Sequence, residues 1–496
     1  MHSDIITNWA AVLGVVFLIW LWARIHRKRQ RLPPGPGIGI PILGHMHLLG
    51  PLPHRSIHKL SQKIGPIVFL RLGCRPTVIV SSPSLSREFL HDHDEAFAFR
   101  PTMEFGKLVF YDQGSACMQP DDPRWKAIRR MFAQEVLSPK SVLKYKNIRD
   151  DEVRILMQEI RCKAATGESI EIRTFANRWI LNVMTRFLFS RRASGDELSE
   201  FPKVFKVLSE LFAQPLIGDF VPYLRWLDPG GLRKRVKLQA KLMDAILENI
   251  LAKRLQPHDS NEAPPADVLT VFLNFFGVSN NSSELGAVKA CILEILTGST
   301  DTTTAAVEWA MAELLCAPKL RLQTLQDELS AVVSAGQQVE ESHFNSLPYL
   351  QAVIKETLRL HPSVPLLLPH LARDPIEIAG FLLPEHTRLF VNVWAIGRDE
   401  NVWEAAHEFR PERFLPGGSA SDVTLVGGQS YQLMPFGYGR RGCPGSHLAV
   451  TMVSLLVANL VHNFTWSSSL SNIPDDEVMG MSNMLAKPFT ASPIIR

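Results

Sequence analysis

One cysteine near the C-terminus lies in a stretch that could bind iron held in a flat ring. The segment Pro435–Gly445, PFGYGRRGCPG, places Cys443 among four glycines and beside Arg440 and Arg441. A cysteine that ligates iron must be a thiolate, which needs nearby positive charge or donated hydrogen bonds, and bare glycine backbone lets a ring approach it. The apolar periodicity after Ser446 predicts a helix whose positive N-terminal end faces the sulfur. Together these features favour an iron ligand over a small inert cysteine beside a turn.

This segment resembles the haem-binding loop of the cytochrome P450 family, the haem-thiolate monooxygenases. The family pattern F-x-x-G-x-R-x-C-x-G is met by Phe436, Gly439, Arg441, Cys443 and Gly445. The resemblance implies that Cys443 is the axial ligand of iron in haem b (iron protoporphyrin IX), that Arg441 binds a haem propionate, and that Phe436 packs near the sulfur. It also implies the fold of that family, mainly α-helical with small β-sheets.

A second motif, KETLRLHP, places Glu356 and Arg359 three residues apart on one predicted helix face. Alone, such a pair is usually a solvated surface contact of little energetic value. The family has an E-x-x-R pair that binds the arginine of a downstream P-E-R-F segment, and PERF occurs here at 411–414. By this resemblance Glu356, Arg359 and Arg413 form the family's structural triad, which holds the haem pocket without touching the substrate.

A third motif lies in a long apolar helical stretch, EILTGSTDTTTAAVEWAMAELL (residues 294–315), which acid and hydroxyl residues interrupt. Threonines inside a helix can bond back to a carbonyl and bend it, and an acid beside an alcohol in an apolar wall can relay protons. A locally satisfied polar kink is the alternative. The stretch resembles the family's [A/G]-G-x-[D/E]-T segment over the distal face of the haem, which implies that Asp301 and Thr302 are the catalytic pair that delivers protons. Ser299 replaces the glycine of that pattern, and it is expected to narrow the oxygen groove.

Four weaker matches accompany these motifs in the expected order. The stretch WKAIRR supplies Trp125 and Arg129 of a W-x-x-x-R helix, and Arg100 in FAFRP and His370 in LLLPHLARD occupy positions where the family contacts haem propionates. Each of them alone is more often an ordinary surface or turn residue. With the strong motifs they extend the resemblance over nearly the entire chain from Pro33 onward.

The elements that must position these residues are expected to be largely helical. A length of 496 residues with 46% hydrophobic content allows a large buried core in one or two domains. Residues 66–82 have the pattern of a hairpin, residues 125–360 follow a mostly helical period, and short strands are expected at 376–378 and 388–392. The six cysteines are scattered without a CxxC pair, which fits a reducing compartment, and the net charge of +4 is too small to indicate nucleic-acid binding.

The N-terminal segment is expected to anchor the protein in a membrane. The apolar run WAAVLGVVFLIWLWA, Trp9–Ala23, extends toward Ile5 and is just long enough to span a bilayer. A cluster of Lys and Arg follows it and none precedes it, so that the body is expected in the cytoplasm. A cleaved signal peptide is disfavoured because a basic leader and a clear cleavage motif are lacking. We therefore predict a single-span anchor in the endoplasmic reticulum membrane (1–31), a proline-rich hinge (32–44) and a haem-binding catalytic domain (45–496).

The resemblance implies a monooxygenase that places one oxygen atom of O2 into an organic substrate and releases the other as water. Electrons are expected from NADPH through a separate flavoprotein, NADPH–cytochrome P450 reductase, because this chain has no convincing nucleotide or flavin motif. Lys126, Arg130 and Arg440 are candidates for a basic docking patch, with an ordinary solvated surface as the alternative. Two rival classes are a reductase-independent haem-thiolate isomerase or dehydratase and a non-enzymatic haem sensor. A proton-delivering pair argues against both.

Segments such as VNVWAIGRDENVWE and IGDFVPYLRWLDPGG resemble the plant microsomal branch of the family, and within it hydroxylases of flavonoids and other phenylpropanoids. A small lipophilic phenolic compound is therefore the expected substrate, with a fatty acid as the alternative. Eight residues are expected by position to line the substrate pocket, with plain core packing as the alternative for each: Phe105, Val109, Phe110, Phe212, Leu296, Ser299, Val364 and Leu366.

Overall fold

The computed structural model describes residue 14 and residues 31–496, apart from 112–114, 116, 195–197, 199, 213, 257–264, 279–283, 317–319, 428–429 and 468–475. The predicted anchor, residues 1–31, lies outside the described residues except at positions 14 and 31. The described part of the chain is mainly helical with small sheets, as the sequence predicted.

Helices form most of this described part. Proline occupies the first turn of several of them, where its missing N–H is harmless, and a preceding Ser82, Asp122 or Ser138 caps the helix by accepting a backbone N–H. The α-helices within the described ranges are α1 (Pro53–Ile64), α2 (Pro83–Arg87), α3 (Glu104–Val109), α4 (Pro123–Met131), α5 (Pro139–Lys144), α6 (Lys146–Ala165), α7 (Ile172–Phe189), α8 (Phe201–Phe212), α9 (Ile217–Phe220), α10 (Leu232–Leu255), α11 (Val268–Phe276), α12 (Leu285–Leu315), α13 (Leu320–Val332), α14 (Pro348–Leu360), α15 (Val393–Ile396) and α16 (Ser446–Asn463).

Short strands form the small sheets. They are β1 (Ile67–Leu72), β2 (Arg75–Val80), β3 (Ile170–Glu171), β4 (His370–Leu371), β5 (Ile376–Ile378), β6 (Phe381–Leu383), β7 (Arg388–Val391), β8 (Phe464–Ser467), β9 (Glu477–Met479), β10 (Asn483–Leu485) and β11 (Thr490–Ile495). The largest sheet has the order β1-β2-β7-β4, in which β1 and β2 form the predicted antiparallel hairpin and β2 pairs parallel with β7. The edge strand β4 carries His370 opposite Leu389 of β7, so the sheet fixes the position of this histidine.

The centre of the molecule is α12, a helix of 31 residues. It packs against α7, α14 and α16. A helix that is apolar nearly all round is stable only inside a protein, and both ends of α12 are buried accordingly, for example at Ile292 and Ala310. Burial is interrupted in the middle of the helix, at residues 297–302, where most side chains are half-buried and Gly298 is exposed. One side of the helix centre therefore opens onto a space.

The helix α16 begins three residues after Cys443 and also belongs to the core. Among the described residues it is the one helix long and apolar enough to cross a membrane, but 78% of it is buried inside the protein. Its side chains at Leu455, Leu456 and Val457 have no exposed surface. The helix is therefore a core element that anchors the cysteine loop.

The predicted hinge, residues 32–44, runs along the edge of β1 that does not pair with β2. The Phe69 amide donates to the Pro34 carbonyl over 2.8 Å, and Gly44 forms an isolated bridge with Leu72. A Cβ at Gly35 would collide with the carbonyl oxygen of Phe69, so this close approach requires glycine. The division of the chain into anchor, hinge and catalytic domain stays a prediction.

Candidate active site

The loop before α16 is shaped by its own backbone. Gly439 has a φ of 69°, which favours glycine, and a Cβ there would collide with the carbonyl oxygen of Leu90. The Cys443 amide donates to the Phe436 carbonyl over 2.8 Å and closes the loop, and α16 begins at Ser446. The glycine-rich motif therefore reflects a tight turn that presents the cysteine at the start of a helix.

The Cys443 thiol lies among opposing electrostatic influences. The surrounding protein partly desolvates the thiol and raises its pKa, whereas the Gly445 amide, which donates a hydrogen bond to the sulfur, and the nearby Arg129 lower this pKa. The sequence suggested that the adjacent arginine pair supplies the positive potential. Instead, the cation that acts on the sulfur is Arg129, which also donates to the carbonyl of Gly442.

The Arg441 guanidinium binds main-chain carbonyls and the ring of Trp125. It donates to the carbonyls of Ala98, over 2.5 Å, and Gln119, over 2.7 Å. It also lies 3.9 Å from the ring centroid of Trp125, which is buried. Burial lowers the pKa of Arg441 to about 9, and the repulsion of Arg100 contributes to this shift. Two predicted haem-contacting residues, Arg441 and Trp125, therefore lie in direct contact.

Arg100 and His370 lie near Arg441. Arg100 donates from Nη1 to the carbonyls of Leu368 and Pro369, over 2.8 Å each, directly before His370 in the chain. Burial, followed by the repulsion of Arg100, lowers the pKa of His370 well below its usual value, so this histidine is neutral near pH 7. Arg100, Arg441 and His370, which were predicted to contact the haem propionates, thus lie near one another. Their cluster carries an excess of positive charge.

The chemistry of these donors fits the two propionates of a haem. Arg100, Arg129 and Arg441 all donate to neutral main-chain carbonyls, and burial together with the repulsion of Arg129 lowers the pKa of Arg100 to about 10. Three clustered guanidinium groups repel one another unless anions lie among them. Two carboxylates would remove this repulsion and accept charge-assisted hydrogen bonds.

The accessible surfaces of Cys443 and of the centre of α12 fit the ring of the haem. Cys443 is exposed, whereas the adjacent Gly442 and Pro444 are half-buried. Gly298 of α12 is also exposed, and a Cβ there would meet nothing within 4 Å. The carboxyl of Glu294, one turn before Gly298, is near enough to the Cys443 thiol to raise its pKa, so this part of α12 lies close to the cysteine. A thiol and a bare helix face border the space between them, as a flat iron-containing ring requires.

Asp301 and Thr302 face different neighbours. The Thr302 hydroxyl donates back to the Gly298 carbonyl over 2.6 Å, which is the back-bond that the sequence suggested. The Thr302 carbonyl accepts a hydrogen bond from the Ser363 hydroxyl over 2.8 Å. The Asp301 carboxyl instead accepts from the Asn177 amide of α7 over 3.5 Å. The two members of the predicted pair therefore have different partners. Asp301 contacts α7, and Thr302 contacts the exposed turn of α12 at Gly298.

Ser299, the departure from the family pattern, turns toward its own helix. Its hydroxyl lies 3.5 Å from the carbonyl of Leu296, which also accepts from the Thr300 hydroxyl over 2.7 Å. Ser299 is half-buried, whereas Leu296 has no exposed surface. Its expected effect on the oxygen groove stays a prediction.

Glu356, Arg359 and Arg413 form one buried cluster. Arg359 donates to both carboxylate oxygens of Glu356, over 2.7 and 2.8 Å, and Arg413 donates to one of them over 3.1 Å. Arg359 also donates to the carbonyls of Ala406 and Glu408. The cluster thus connects α14 to the irregular segment that leads toward the cysteine loop, and its members do not border the aromatic cavity beside α12.

A cavity beside the middle of α12 contains part of the predicted pocket. Its lining within the described residues is Phe105, Val109, Phe205, Leu208, Ser209, Phe212, Leu293, Thr297 and Met481. The rings of Phe105 and Phe212 meet edge to face, with centroids 4.9 Å apart and an interplanar angle of 87°. Five predicted pocket residues are not part of this lining: Phe110, Leu296, Ser299, Val364 and Leu366. Leu366 packs instead against the apolar cluster of β1 and β2, and Phe110 against the main core.

Two of the three candidate docking residues, Lys126 and Arg440, are partly neutralised by acidic neighbours. Lys126 and Arg130 are exposed on α4, and the Lys126 ammonium lies 3.5 Å from an Asp121 carboxylate oxygen. Arg440 pairs with Asp94 over 3.1 Å and lies 3.6 Å from Asp121. These two acids reduce the positive potential of the predicted patch.

Sequence reasoning missed Ser209, Asn177 and Ser363. The place of Ser209 in the pocket was predictable from its spacing, because it lies four residues after Phe205 and three before Phe212, on the same face of α8. The other two carry no local signal, since each meets α12 only through tertiary packing.

Comparison with known proteins identifies the family. The chain matches the cytochrome P450 family model over residues 33–491. A flavonoid 3'-monooxygenase from Crocosmia x crocosmiiflora is 35% identical over 97% of this chain and 96% of its own. A 3,9-dihydroxypterocarpan 6A-monooxygenase from Glycine max is 34% identical over 98% of this chain and 97% of its own. A solved zebra fish cytochrome P450 with progesterone is 26% identical, with a TM-score of 0.76 over 90% of this chain and 99% of that one. These matches confirm the predicted family, and the chain is a plant-type monooxygenase that belongs to the cytochrome P450 family.

Proposed function

We propose that this monooxygenase hydroxylates a flavonoid or another phenylpropanoid. The observation that carries the proposal is the cavity beside α12, which Phe105, Phe205 and Phe212 line together with aliphatic side chains. Aromatic side chains pack favourably, edge to face or offset, against a planar aromatic ligand. The names of the two plant relatives, which refer to a flavonoid and a pterocarpan, support the same substrate class. A fatty acid has no aromatic ring and cannot form these ring–ring contacts with the three phenylalanines.

Membership of the family implies a haem cofactor, and we assign haem b to the space between Cys443 and α12. Cys443 is the proposed iron ligand, and Arg100, Arg129 and Arg441 are the proposed partners of the propionates. Trp125 and His370 are proposed to contact the same side of the haem, and Phe436 is proposed to pack near the sulfur. When bound through a thiolate, haem supplies the reductive activation of O2, from which one oxygen atom enters the substrate and the other leaves as water.

Asp301 and Thr302 are proposed to move protons into this space. Burial raises the pKa of Asp301, so its carboxyl takes up a proton at a higher pH than an ordinary aspartate does. Its hydrogen bond with Asn177 connects it to the half-buried face of α7. The Thr302 hydroxyl, next to the exposed turn at Gly298, can pass the proton onward. This division of roles follows from the different surroundings of the two side chains.

NADPH–cytochrome P450 reductase is the proposed source of electrons, with NADPH as the reductant. Lys126 and Arg130 on α4 are the proposed docking residues, because the same helix carries Arg129, which contacts the cysteine loop at Gly442. The charge-reversal pair Lys126→Glu with Arg130→Glu should raise the KM for the reductase and weaken its salt dependence. Unchanged values of both would remove these residues from the docking surface.

Attachment to the endoplasmic reticulum membrane is supported by an exposed apolar surface, part of which follows the predicted anchor in the sequence. The exposed side chains of this surface are Ile38, Ile40, Ile42, Leu43, Tyr223 and Trp226, and the last is 73% exposed. The turn between β1 and β2 connects residues 38–43 of this surface to Tyr223. The Gly73 amide in this turn donates to the Leu43 carbonyl, and the Cys74 sulfur lies 2.8 Å from the Tyr223 hydroxyl. Tryptophan and tyrosine favour the membrane–water interface. We propose that this surface contacts lipid while the single-span anchor in residues 1–31 holds the catalytic domain on the cytoplasmic side.

The proposal is tested with the full-length enzyme, purified reductase and NADPH. Naringenin, p-coumaric acid and lauric acid serve as probes, and mass spectrometry detects products that have gained one oxygen atom. We expect such a product from a phenolic probe only when reductase and NADPH are both present. A product from lauric acid alone would identify a fatty-acid hydroxylase, and turnover of a lipid hydroperoxide without reductase would identify an isomerase or dehydratase.

A further inference from the structure

One polar side chain lies deep in the aromatic cavity, at the junction of α8 and α12. Ser209 is only 9% exposed, and with Thr297 it supplies the hydroxyl groups of a lining that is otherwise apolar. Within the described residues the Ser209 hydroxyl makes no hydrogen bond of normal length and geometry. A buried hydroxyl without such a bond is costly, and its position in a ligand cavity points to a group on the ligand.

The Asp301 carboxyl lies near the Ser209 hydroxyl. The serine hydroxyl is close enough to lower the pKa of Asp301, against the dominant effect of burial, which raises it. Arg173 and Asn177 of α7 also lower this pKa, and Glu210 of α8 raises it. An ionised carboxylate accepts hydrogen bonds and cannot donate them. When Asp301 is ionised, the Ser209 proton turns toward it, and the serine oxygen lone pairs are free to accept a hydrogen bond from a ligand in the cavity.

We propose that Ser209 is a specificity-determining residue that accepts a hydrogen bond from a phenolic hydroxyl of the substrate. This inference rests on the proposed function, which assigns an aromatic substrate to the cavity. A phenol can donate to the serine oxygen, whereas a methyl ether or an unsubstituted ring cannot. The rings of Phe105 and Phe212 pack equally well against all three. Ser209 therefore selects a hydrogen-bond donor among compounds of the same aromatic framework.

Binding to the ferric, haem-loaded full-length enzyme tests this selection without turnover. Spectral dissociation constants are measured at pH 7.5 for naringenin, its trimethyl ether and unsubstituted flavanone. For the natural protein we expect naringenin to bind about tenfold more tightly than the other two, as one hydrogen bond allows. Ser209→Ala should lose about tenfold in affinity for naringenin and keep its affinity for flavanone, whereas Ser209→Thr, which retains the hydroxyl, should keep the preference.

The outcomes separate this inference from the function on which it rests. If the natural protein binds naringenin and flavanone alike, or if Ser209→Ala keeps the preference, the role of Ser209 is overturned while the flavonoid class stands. If the natural protein binds none of the three probes, the proposed substrate class and the role of Ser209 fail together. The reduced, carbon monoxide-bound spectrum and the Tm of each variant establish that the variants are folded and loaded.

Discussion

The Ser363 hydroxyl donates a hydrogen bond to the backbone carbonyl of Thr302 over 2.8 Å. Ser363 follows α14, and its own carbonyl accepts from the Asn483 amide of β10 over 2.8 Å. Thr302 in turn bonds back to Gly298 at the exposed turn of α12. Thr302, which we propose delivers protons, is therefore held through its backbone carbonyl by Ser363, a residue distant in sequence. We expect the position of Thr302 to depend on this hydrogen bond.

Replacing Ser363 by alanine should loosen this position without removing a reacting group. The lost hydrogen bond costs about 1 kcal/mol of folding free energy, and the turn at Thr302 becomes freer to shift. We expect several-fold more hydrogen peroxide released per NADPH consumed and a normal carbon monoxide spectrum. Ser363→Thr, which keeps the donor, is the matched control. Unchanged coupling in the alanine variant would show that Ser363 does not position Thr302.

The buried carboxylate of Glu356 should be indispensable for a stable haem pocket. It accepts from Arg359 and Arg413 and from the Arg410 amide, and its side chain has no exposed surface. Glu356→Gln leaves buried cations without their anion, which typically costs about 3–5 kcal/mol. We expect a lower haem-to-protein ratio and a lower urea midpoint. Glu404→Gln is the control, because Glu404 pairs with Arg410 at the surface, where an ion pair contributes little.

A variant Glu356→Gln that folds and loads haem as the natural protein does would contradict this role. Equal losses in Glu356→Gln and Glu404→Gln would also contradict it, because the effect would then be a general consequence of lost charge.

The features that were predictable from the sequence are those in which one short segment carries its own physical requirement. The Cys443 loop needs glycine at Gly439 to avoid the carbonyl of Leu90. Residues 66–82 carry β-branched and apolar runs on both sides of a central turn, which is the pattern of a hairpin. Glu356 and Arg359 share one helix face, so their contact follows from helical geometry alone.

The features that were not predictable depend on side-chain direction or on distant partners. Arg440 and Arg441 are adjacent to the cysteine in sequence, yet the turn at Gly439–Arg441 directs them to Asp94 and Ala98. Pocket residues suggested by position were separated by packing, since Leu366 joins the sheet cluster instead of the aromatic cavity. Neighbourhood along the chain does not determine which way a side chain points.

Acid should destabilise the protein through Glu477. This carboxylate of β9 contacts His54 over 3.1 Å and Arg55 over 2.9 Å on α1. Burial raises its pKa, but His54 and Arg55 outweigh burial and lower the pKa from 4.5 to about 2. A depressed carboxyl pKa stabilises the fold above the unfolded value, and this stabilisation is lost as pH falls from about 4.5 to 2. The loss amounts to about 3 kcal/mol.

The measurement is urea unfolding at several pH values between 5 and 3 for the natural protein and Glu477→Gln. The variant should be less stable at pH 5, and the difference between the two proteins should shrink as the pH falls. Glu168→Gln, at an exposed pair with Lys163, is the control and should leave the pH dependence unchanged. A constant difference between the natural protein and Glu477→Gln would show that Glu477 does not titrate in this window.

The roles proposed for Asp301 and Thr302 predict different defects. Asp301→Asn removes the group that takes up the proton, so both product formation and NADPH use should slow, product formation by about 10²-fold. Burial raises the pKa of Asp301, and the activity of the natural protein should fall as the pH rises through this pKa and the carboxyl loses its proton. The activity of Asp301→Asn should not show this fall. Thr302→Ala should instead keep consuming NADPH while releasing peroxide.

The control for Thr302 lies on the same helix. The Thr304 hydroxyl also bonds back to a carbonyl, that of Thr300, over 2.8 Å, but Thr304 has no exposed surface and does not border the open turn. Thr304→Val removes the same kind of back-bond, and it should preserve the ratio of product to NADPH. If Thr304→Val released as much peroxide as Thr302→Ala, the loss of coupling would come from a distorted α12 and not from the Thr302 hydroxyl. If only Thr302→Ala releases peroxide, the hydroxyl at the exposed turn carries the proton.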